Sequence, residues 1–196
     1  MRFFSILDEL KQFYDNDIIV RKNGTMLLHP GKIPNSRHML YKPLNDEYIE
    51  DYLVSQYANT FPKEYIKFLK YSNGADLCSV KLNTQGVSFA CPMFTILGLP
   101  LTPPFNRPSD MEEPFDMRVE DLARHDDIPN TWLKCGTYLY DTDFNTDYDI
   151  FIDTENGRVY SCIRRQKEIV EQWDTLDECF CSIWDSLKNC KEEYDD

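Results

Sequence analysis

The most suggestive chemical pattern in this 196-residue sequence is an acidic run at positions 141–149. Every second place carries a carboxylate or an amide, as in a calcium-binding loop. These residues are Asp141, Asp143, Asn145, Asp147 and Asp149. The run departs from a calcium loop at two strict positions, because Thr146 replaces the turn glycine and Ile152 the bidentate glutamate. Strand-like sequence flanks the run, so we expect a solvated acidic connection and no metal site.

No catalytic motif stands out elsewhere. The sequence has no G-x-S-x-G elbow, no H-E-x-x-H pair and no P-loop. Its three histidines, His29, His38 and His125, are far apart, and none pairs with a cysteine at ligand spacing. Adjacent carboxylates such as Asp126 and Asp127 favour plain solvation. We therefore expect no enzymatic activity and no cofactor.

Acidic side chains near aromatic ones favour binding by surface instead. One group decorates a proline-rich stretch at 100–114, and the other surrounds a predicted β-hairpin. The candidate partner-binding residues are Asp110, Glu112, Glu113, Asp116, Asp141, Asp143, Asp147, Asp149 and Glu155. The alternative is that these acids only solvate the fold while the aromatics pack against the sheet.

The composition limits the chemical class of the partner. A net charge of −13 argues against direct binding to nucleic acid, whose phosphates would repel the chain, and favours a basic partner or simple solubility. No apolar run is long enough to span a membrane, and no export signal opens the chain. Seven scattered cysteines without a C-x-x-C pair then indicate reduced thiols. We expect a cytoplasmic protein.

Helical spacing of apolar residues predicts helices at 3–14, 46–58, 61–72 and 175–187, with a short one at 119–125. The third begins with Pro62 in its first turn and ends at Asn73-Gly74, where glycine accepts a left-handed backbone. The last follows a capping box, Thr175 to Glu178.

Short β-rich runs bounded by turn residues predict strands at 79–82, 86–89, 93–98, 132–140, 148–153 and 158–163. Asn-Gly turns predict hairpins at 18–28 and 148–163. Prolines predict loops at 29–43 and 100–114. Segregated helices and strands predict a single α+β domain over 1–196, with a mainly antiparallel sheet covered by helices. The N-terminal helix and extension at 1–45 have no clear placement in it.

The order of these motifs, over about 48–187, resembles the SUKH superfamily, in its branch of cell-wall-assembly-regulator-like proteins. Residue by residue, the match comprises Pro62, Tyr65, Phe68, Leu69, Asn73, Gly74, Asp149, Asp153, Gly157, Val159 and Phe180. Phe61 replaces the usual leucine, the 100–114 stretch looks longer than typical, and 15–45 has no counterpart.

The resemblance implies an α+β fold without an active site. Bacterial members are commonly immunity proteins that bind a cognate toxin, often a nuclease, in the cytoplasm of the producing cell. The expected partner is therefore a basic, nuclease-like toxin, neutralised when the acidic loop and hairpin cover its active site. Two alternatives stay open: a regulatory scaffold with several endogenous partners, like the fungal members, and a small-molecule-binding protein or enzyme, which would require a deep pocket with converging polar groups. The oligomeric state also stays open.

Overall fold

A computed structural model describes residues 1–29, 38–50, 61–84, 87–91, 93–99, 128–139, 147–164 and 168–189. The helices are α1 (Arg2–Phe13), α2 (helical at 46–50), α3 (Lys63–Tyr71) and α4 (Leu176–Asn189), with a 3-10 turn at Asp15–Asp17. The strands are β1 (Ile18–Val20), β2 (Met26–Leu28), β3 (His38–Leu40), β4 (Ala75–Leu77), β5 (Val80–Thr84), β6 (Val87–Cys91), β7 (Phe94–Ile96), β8 (Trp132–Leu139), β9 (Asp147–Asp153), β10 (Val159–Ile163) and β11 (Ile169–Trp173).

Nine of these strands form one antiparallel sheet in the order β1-β2-β3-β4-β7-β8-β9-β10-β11, while β5 and β6 pair separately. The α+β prediction is confirmed, as is a mainly antiparallel sheet. The sheet has β1 at one end and β11 at the other. The single-domain prediction for 1–196 stays a prediction.

One face of the sheet packs against α1, α3 and α4 and forms the main apolar core. Phe180 of α4 is its hub, since its ring lies 5.2 Å from that of Phe3, 5.7 Å from Phe68 and 5.5 Å from Phe94. These contacts join three helices to the centre of the sheet. We call the side that packs on the helices the helix face and the opposite side the far face.

Most predicted elements appear with shifted ends. The predicted α1, the hairpins β1–β2 and β9–β10, and the closing helix α4 are confirmed. The 61–72 helix begins at Lys63, because Pro62 has extended backbone and serves as its N-cap. The predicted parts 51–58, 100–114 and 119–125 lie outside the described residues.

Three strands depart from the predictions. The loop predicted at 29–43 contains β3, and no strand was predicted where β4 and β11 lie. β4 is buried on both sides, so it lacks the alternation that marks a half-buried strand. β3 is only three residues long and is held by pairing with β2 and β4, which local sequence does not report.

The Asn73-Gly74 turn connects helix to sheet. Gly74 has φ +94°, the left-handed backbone that glycine adopts without strain, and β4 starts at the next residue. The buried Asn73 amide donates to Leu99 O and accepts from Leu99 N, both at 2.7 Å. The amide thus ties the end of α3 to the chain after β7.

Candidate functional site

Asp147, the first of the predicted hairpin acids that lies within the described residues, is neutralised within the hairpin. Its carboxylate contacts the guanidinium of Arg164, and the Arg164 backbone N–H donates to Asp147 O at 2.7 Å. The Asp147 side chain is only partly exposed. A partner would therefore meet an acid that already carries a counter-charge.

Asp149 lies on the far face and is almost completely buried. Lys134 Nζ is 2.9 Å from Asp149 Oδ1, which is ion-pair distance. No hydrogen bond to this oxygen meets the usual angular criteria among the described residues, so we regard the contact as a pairing of charges. Asp149 is therefore not one of the surface acids that the sequence predicts. A charge is rarely buried unless it is paired, and Lys134 is the paired charge here.

Glu155, by contrast, is exposed on the turn between β9 and β10. The Asp153 carboxylate accepts from Glu155 N at 2.9 Å and from Asn156 Nδ2 at 2.7 Å. Gly157 completes the turn with φ +77° and donates to Asp153 O at 2.8 Å. The turn therefore holds Glu155 in a defined position.

The structure does not bring the three described acids together. Asp147 and Glu155 lie at opposite ends of β9, which at about 3.3 Å per residue is a separation of about 20 Å. The other predicted site residues lie outside the described residues. They are Asp110, Glu112, Glu113, Asp116, Asp141 and Asp143.

A polar row crosses the far face of the sheet. Strand register places Asp76, Thr95, Thr137 and Asp149 side by side on β4, β7, β8 and β9. The Asp76 carboxylate accepts from Tyr41 Oη at 2.7 Å and Thr95 Oγ1 at 2.9 Å. Burial raises the pKa of Asp76, and the two hydrogen bonds lower it by less. Asp76, Tyr41 and Thr95 therefore satisfy one another, as a structural network does.

The described cysteines are free thiols, and five of the six are buried. Burial raises the pKa of Cys162 to about 11, with a smaller contribution from the charge of Asp149. Burial likewise raises the pKa of Cys135 and Cys179. The thiolate is the nucleophile, so these side chains stay unreactive at neutral pH. Within the described ranges, no three His, Cys, Asp or Glu side chains are grouped as metal ligands.

One exposed surface of the described residues is the strand β11, which ends the sheet. Ile169 is 48% exposed and Val170 45%, so two β-branched side chains face solvent. Among the described residues β11 pairs only with β10, and a bulge opposite Ser161 and Cys162 interrupts that ladder. An exposed apolar edge strand is a template for pairing with another chain.

Acidic side chains border these two apolar residues. Glu168, Glu171 and Asp174 are all exposed, and Arg158 Nε lies 3.7 Å from Asp174 Oδ1. An apolar centre with a polar rim is the usual anatomy of a protein interface. We call residues 168–174 the β11 edge. The β11 edge therefore combines exposed apolar and exposed acidic side chains.

Sequence reasoning missed the β11 edge because Glu168 to Gln172 shows no period-two alternation. All four residues 169–172 are exposed, so the strand has no buried face that would require alternating apolar and polar residues. The available signal is an Ile-Val pair between acids, just before the capping box at Thr175. β-branched residues there favour a strand, and the acids favour an exposed one.

No family model, curated protein or solved structure matches this chain. The resemblance to the SUKH superfamily therefore stays a prediction based on the motifs above. Of the described helices, none has both the length and the apolar character needed to cross a bilayer.

Proposed function

We propose that this protein is an immunity protein, which binds a cognate bacterial toxin of basic, nuclease-like type and neutralises it in the cytoplasm of the producing cell. The observation that carries the proposal is the β11 edge, where exposed Ile169 and Val170 lie between Glu168 and Glu171. The SUKH-like motif order supports the class of partner. The protein acts by occupying a surface and needs no catalytic group of its own.

The charge of the chain suits such a partner. A nuclease cleft is basic because it accepts phosphates, and a net charge of −13 attracts it over a distance. Complementary charge raises the association rate, while buried apolar anchors slow dissociation. At the β11 edge both kinds of group occur on one strand, so a partner strand can add to the sheet while its basic side chains meet the acids.

Glu155 extends this acidic surface. It lies on the turn before β10, and Val159, the first residue of β10, pairs with Trp173, the last residue of β11. The acids of the 100–114 stretch and of 141–143 belong to the proposal as the predicted remainder of the surface. Asp149 does not, since Lys134 already pairs with it.

Co-expression tests the proposal. A large neighbouring gene with a C-terminal nuclease module is the candidate toxin, and its module alone should arrest growth. We expect this protein to restore growth and to bind the purified module. Failure to restore growth, with the module shown to be toxic, would contradict the proposal for that pair.

Charge reversal locates the binding surface. The double variant Glu168→Lys/Glu171→Lys should weaken binding about tenfold or more, because it turns attraction into repulsion beside the apolar pair. A matched control, Glu9→Lys/Glu47→Lys, makes the same change in net charge at exposed positions away from the β11 edge. Equal losses in both variants would show that overall charge, and not this edge, carries the interaction.

A further inference from the structure

The opposite end of the sheet carries a second exposed apolar region. Ile19 is 51% exposed and Val20 63%, and both belong to β1. Phe13, at the end of α1 and just before β1, is 79% exposed. Among the described residues β1 pairs only with β2. Exposed apolar edges of this kind pair readily with another strand.

Hydrogen bonds within the β1–β2 hairpin determine which backbone groups face outward. His29 N donates to Asp17 O, and Arg21 N donates to Thr25 O, both at 2.9 Å. Positions 17, 19 and 21 therefore direct their N–H and C=O groups towards β2. Antiparallel strands alternate, so Ile18 and Val20 direct theirs to the free edge.

We propose that this edge binds a second copy of the same chain, by antiparallel pairing of β1 with β1 about a twofold axis at Ile19. Ile18 of one copy then lies opposite Val20 of the other, and each such pair exchanges two backbone hydrogen bonds. Two nine-stranded sheets join into one. The interface is isologous, since the same residues contribute from both copies.

Charge complementarity supports this register. With Ile19 opposite Ile19, Asp17 lies opposite Arg21 of the other copy, and this pairing occurs twice. The side chain of Asp17 is 60% exposed, and within one copy its Oδ2 lies 3.3 Å from His29 Nδ1. Opposite charges directly across an antiparallel pair are favourable, and like charges there are unfavourable.

Other registers fit less well. A slip by one residue sets the outward backbone groups of Ile18 against residues whose groups point to β2. A slip by two sets either Asp17 or Arg21 opposite Ile19, according to its direction. Self-pairing of the β11 edge fits less well: an axis at Val170 sets Glu171 opposite Ile169, and an axis at Glu171 sets two like charges opposite each other. The axis at Ile19 also keeps the helices of both copies on the same side of the joined sheet.

Sedimentation velocity over a range of concentrations tests the proposal on the full chain. We expect a monomer–dimer equilibrium for the wild type. Asp17→Arg and Arg21→Asp should each be monomeric at concentrations where the wild type is dimeric, because each sets like charges opposite one another. Mixing the two variants should restore the dimer, because every cross-strand pair is then of opposite charge.

Three results would overturn the proposal. They are a wild type that stays monomeric at every concentration, single variants that still dimerise, and a mixture of the two variants that does not associate. Ile169→Lys on the β11 edge is the control, and we expect it to leave dimerisation unchanged. A loss of self-association in this control would instead indicate head-to-tail pairing of β1 with β11. Circular dichroism of each variant separates loss of pairing from loss of fold.

Discussion

The carboxylates of this chain differ in role although they look alike in sequence. Asp147 and Asp149 are two residues apart on β9, yet one contacts the partly exposed Arg164 and the other the buried Lys134. Glu155 alone of the described predicted acids is exposed on a rigid turn. Sequence could identify the acids but not their partners, because Lys134 lies on β8 and Arg164 follows β10, and neither position is marked by local sequence.

The buried pair of Lys134 and Asp149 gives a prediction for stability. Lys134→Met alone should lower the free energy of unfolding by about 3–5 kcal/mol, because it leaves a buried carboxylate without its counter-charge. Lys134→Met/Asp149→Leu should recover most of that loss, since both charges are then removed. Urea unfolding of the two variants measures the difference. A double variant no more stable than the single one would contradict the pairing.

The buried Asp76 should make the free energy of unfolding depend on pH. Burial raises the pKa of Asp76 in the folded protein above its ordinary value of 3.8. The protonated Asp76 carboxyl is therefore favoured more in the folded state than in the unfolded chain. This preference adds to the free energy of unfolding. The contribution is complete below pH 3.8 and is lost as pH rises through the raised pKa. Asp76→Asn lacks this titration.

Urea unfolding of the wild type and Asp76→Asn at several pH values from 3.5 to 7.5 checks this expectation. The free energy of unfolding of the variant, relative to the wild type, should increase as pH rises. Groups other than Asp76 titrate in both proteins and cancel in the comparison. A relative stability that is constant would show that the hydrogen bonds from Tyr41 and Thr95 balance burial, and one that falls with pH would show that they outweigh it.

At the scale of elements, side chains of one helix accept hydrogen bonds from the backbone N–H groups at the start of another. The Asp177 carboxylate of α4 accepts from Arg2 N at 2.8 Å and from Phe3 N at 2.9 Å. The Glu64 carboxylate of α3 accepts from Leu176 N at 3.0 Å. These bonds satisfy donors that a helix start leaves unpaired, and they join segments over 100 residues apart.

Asp177→Ala should therefore lower the free energy of unfolding by about 1–2 kcal/mol, as loss of a helix cap does. Hydrogen exchange should show the largest increase at the start of α1, although the substitution is on α4. Glu9→Ala, at an exposed position on α1, is the control and should change stability little. Unchanged exchange at Arg2 and Phe3 would contradict the cap.

The capping box illustrates what sequence can and cannot predict at this scale. Thr175 Oγ1 accepts from Glu178 N at 3.1 Å, as predicted. A capping box also predicts that the Glu178 carboxylate accepts from Thr175 N. In the structure Glu178 Oε2 accepts from Asp174 N, one residue earlier, and the N–H of Leu176 donates to Glu64 of α3.

Periodicity located α1, α3 and α4, and Asn-Gly located both hairpins. The buried β4 and the exposed β11 lack any alternation, so only their pairing reveals them.

For the whole molecule, the charge of −13 predicts a salt-dependent association with a basic partner. The affinity for the toxin module should fall as ionic strength rises. Glu168→Lys/Glu171→Lys should show a shallower dependence than the wild type, because fewer complementary charges remain. Titration calorimetry at several salt concentrations measures both slopes. Equal slopes would mean that the edge acids take no part in binding.

The two ends of the sheet have different chemistry, and this separates the two proposed interactions. In the proposed β1–β1 register the β1 edge is self-complementary in charge, while the acidic β11 edge is the proposed site for a basic partner. A dimer joined at β1 would leave both β11 edges exposed. Toxin binding and self-association should therefore be independent, so that Asp17→Arg leaves the affinity for the toxin unchanged.

Hydrogen exchange of the protein, free and bound to the neighbouring toxin module, tests the central claim most directly. We predict that binding slows exchange of the backbone amides at 168–173, where a partner strand would pair with β11. The amides of the buried strands should change little. Slower exchange confined to other segments, with 168–173 unaffected in a saturated complex, would contradict the assignment of the β11 edge as the binding site.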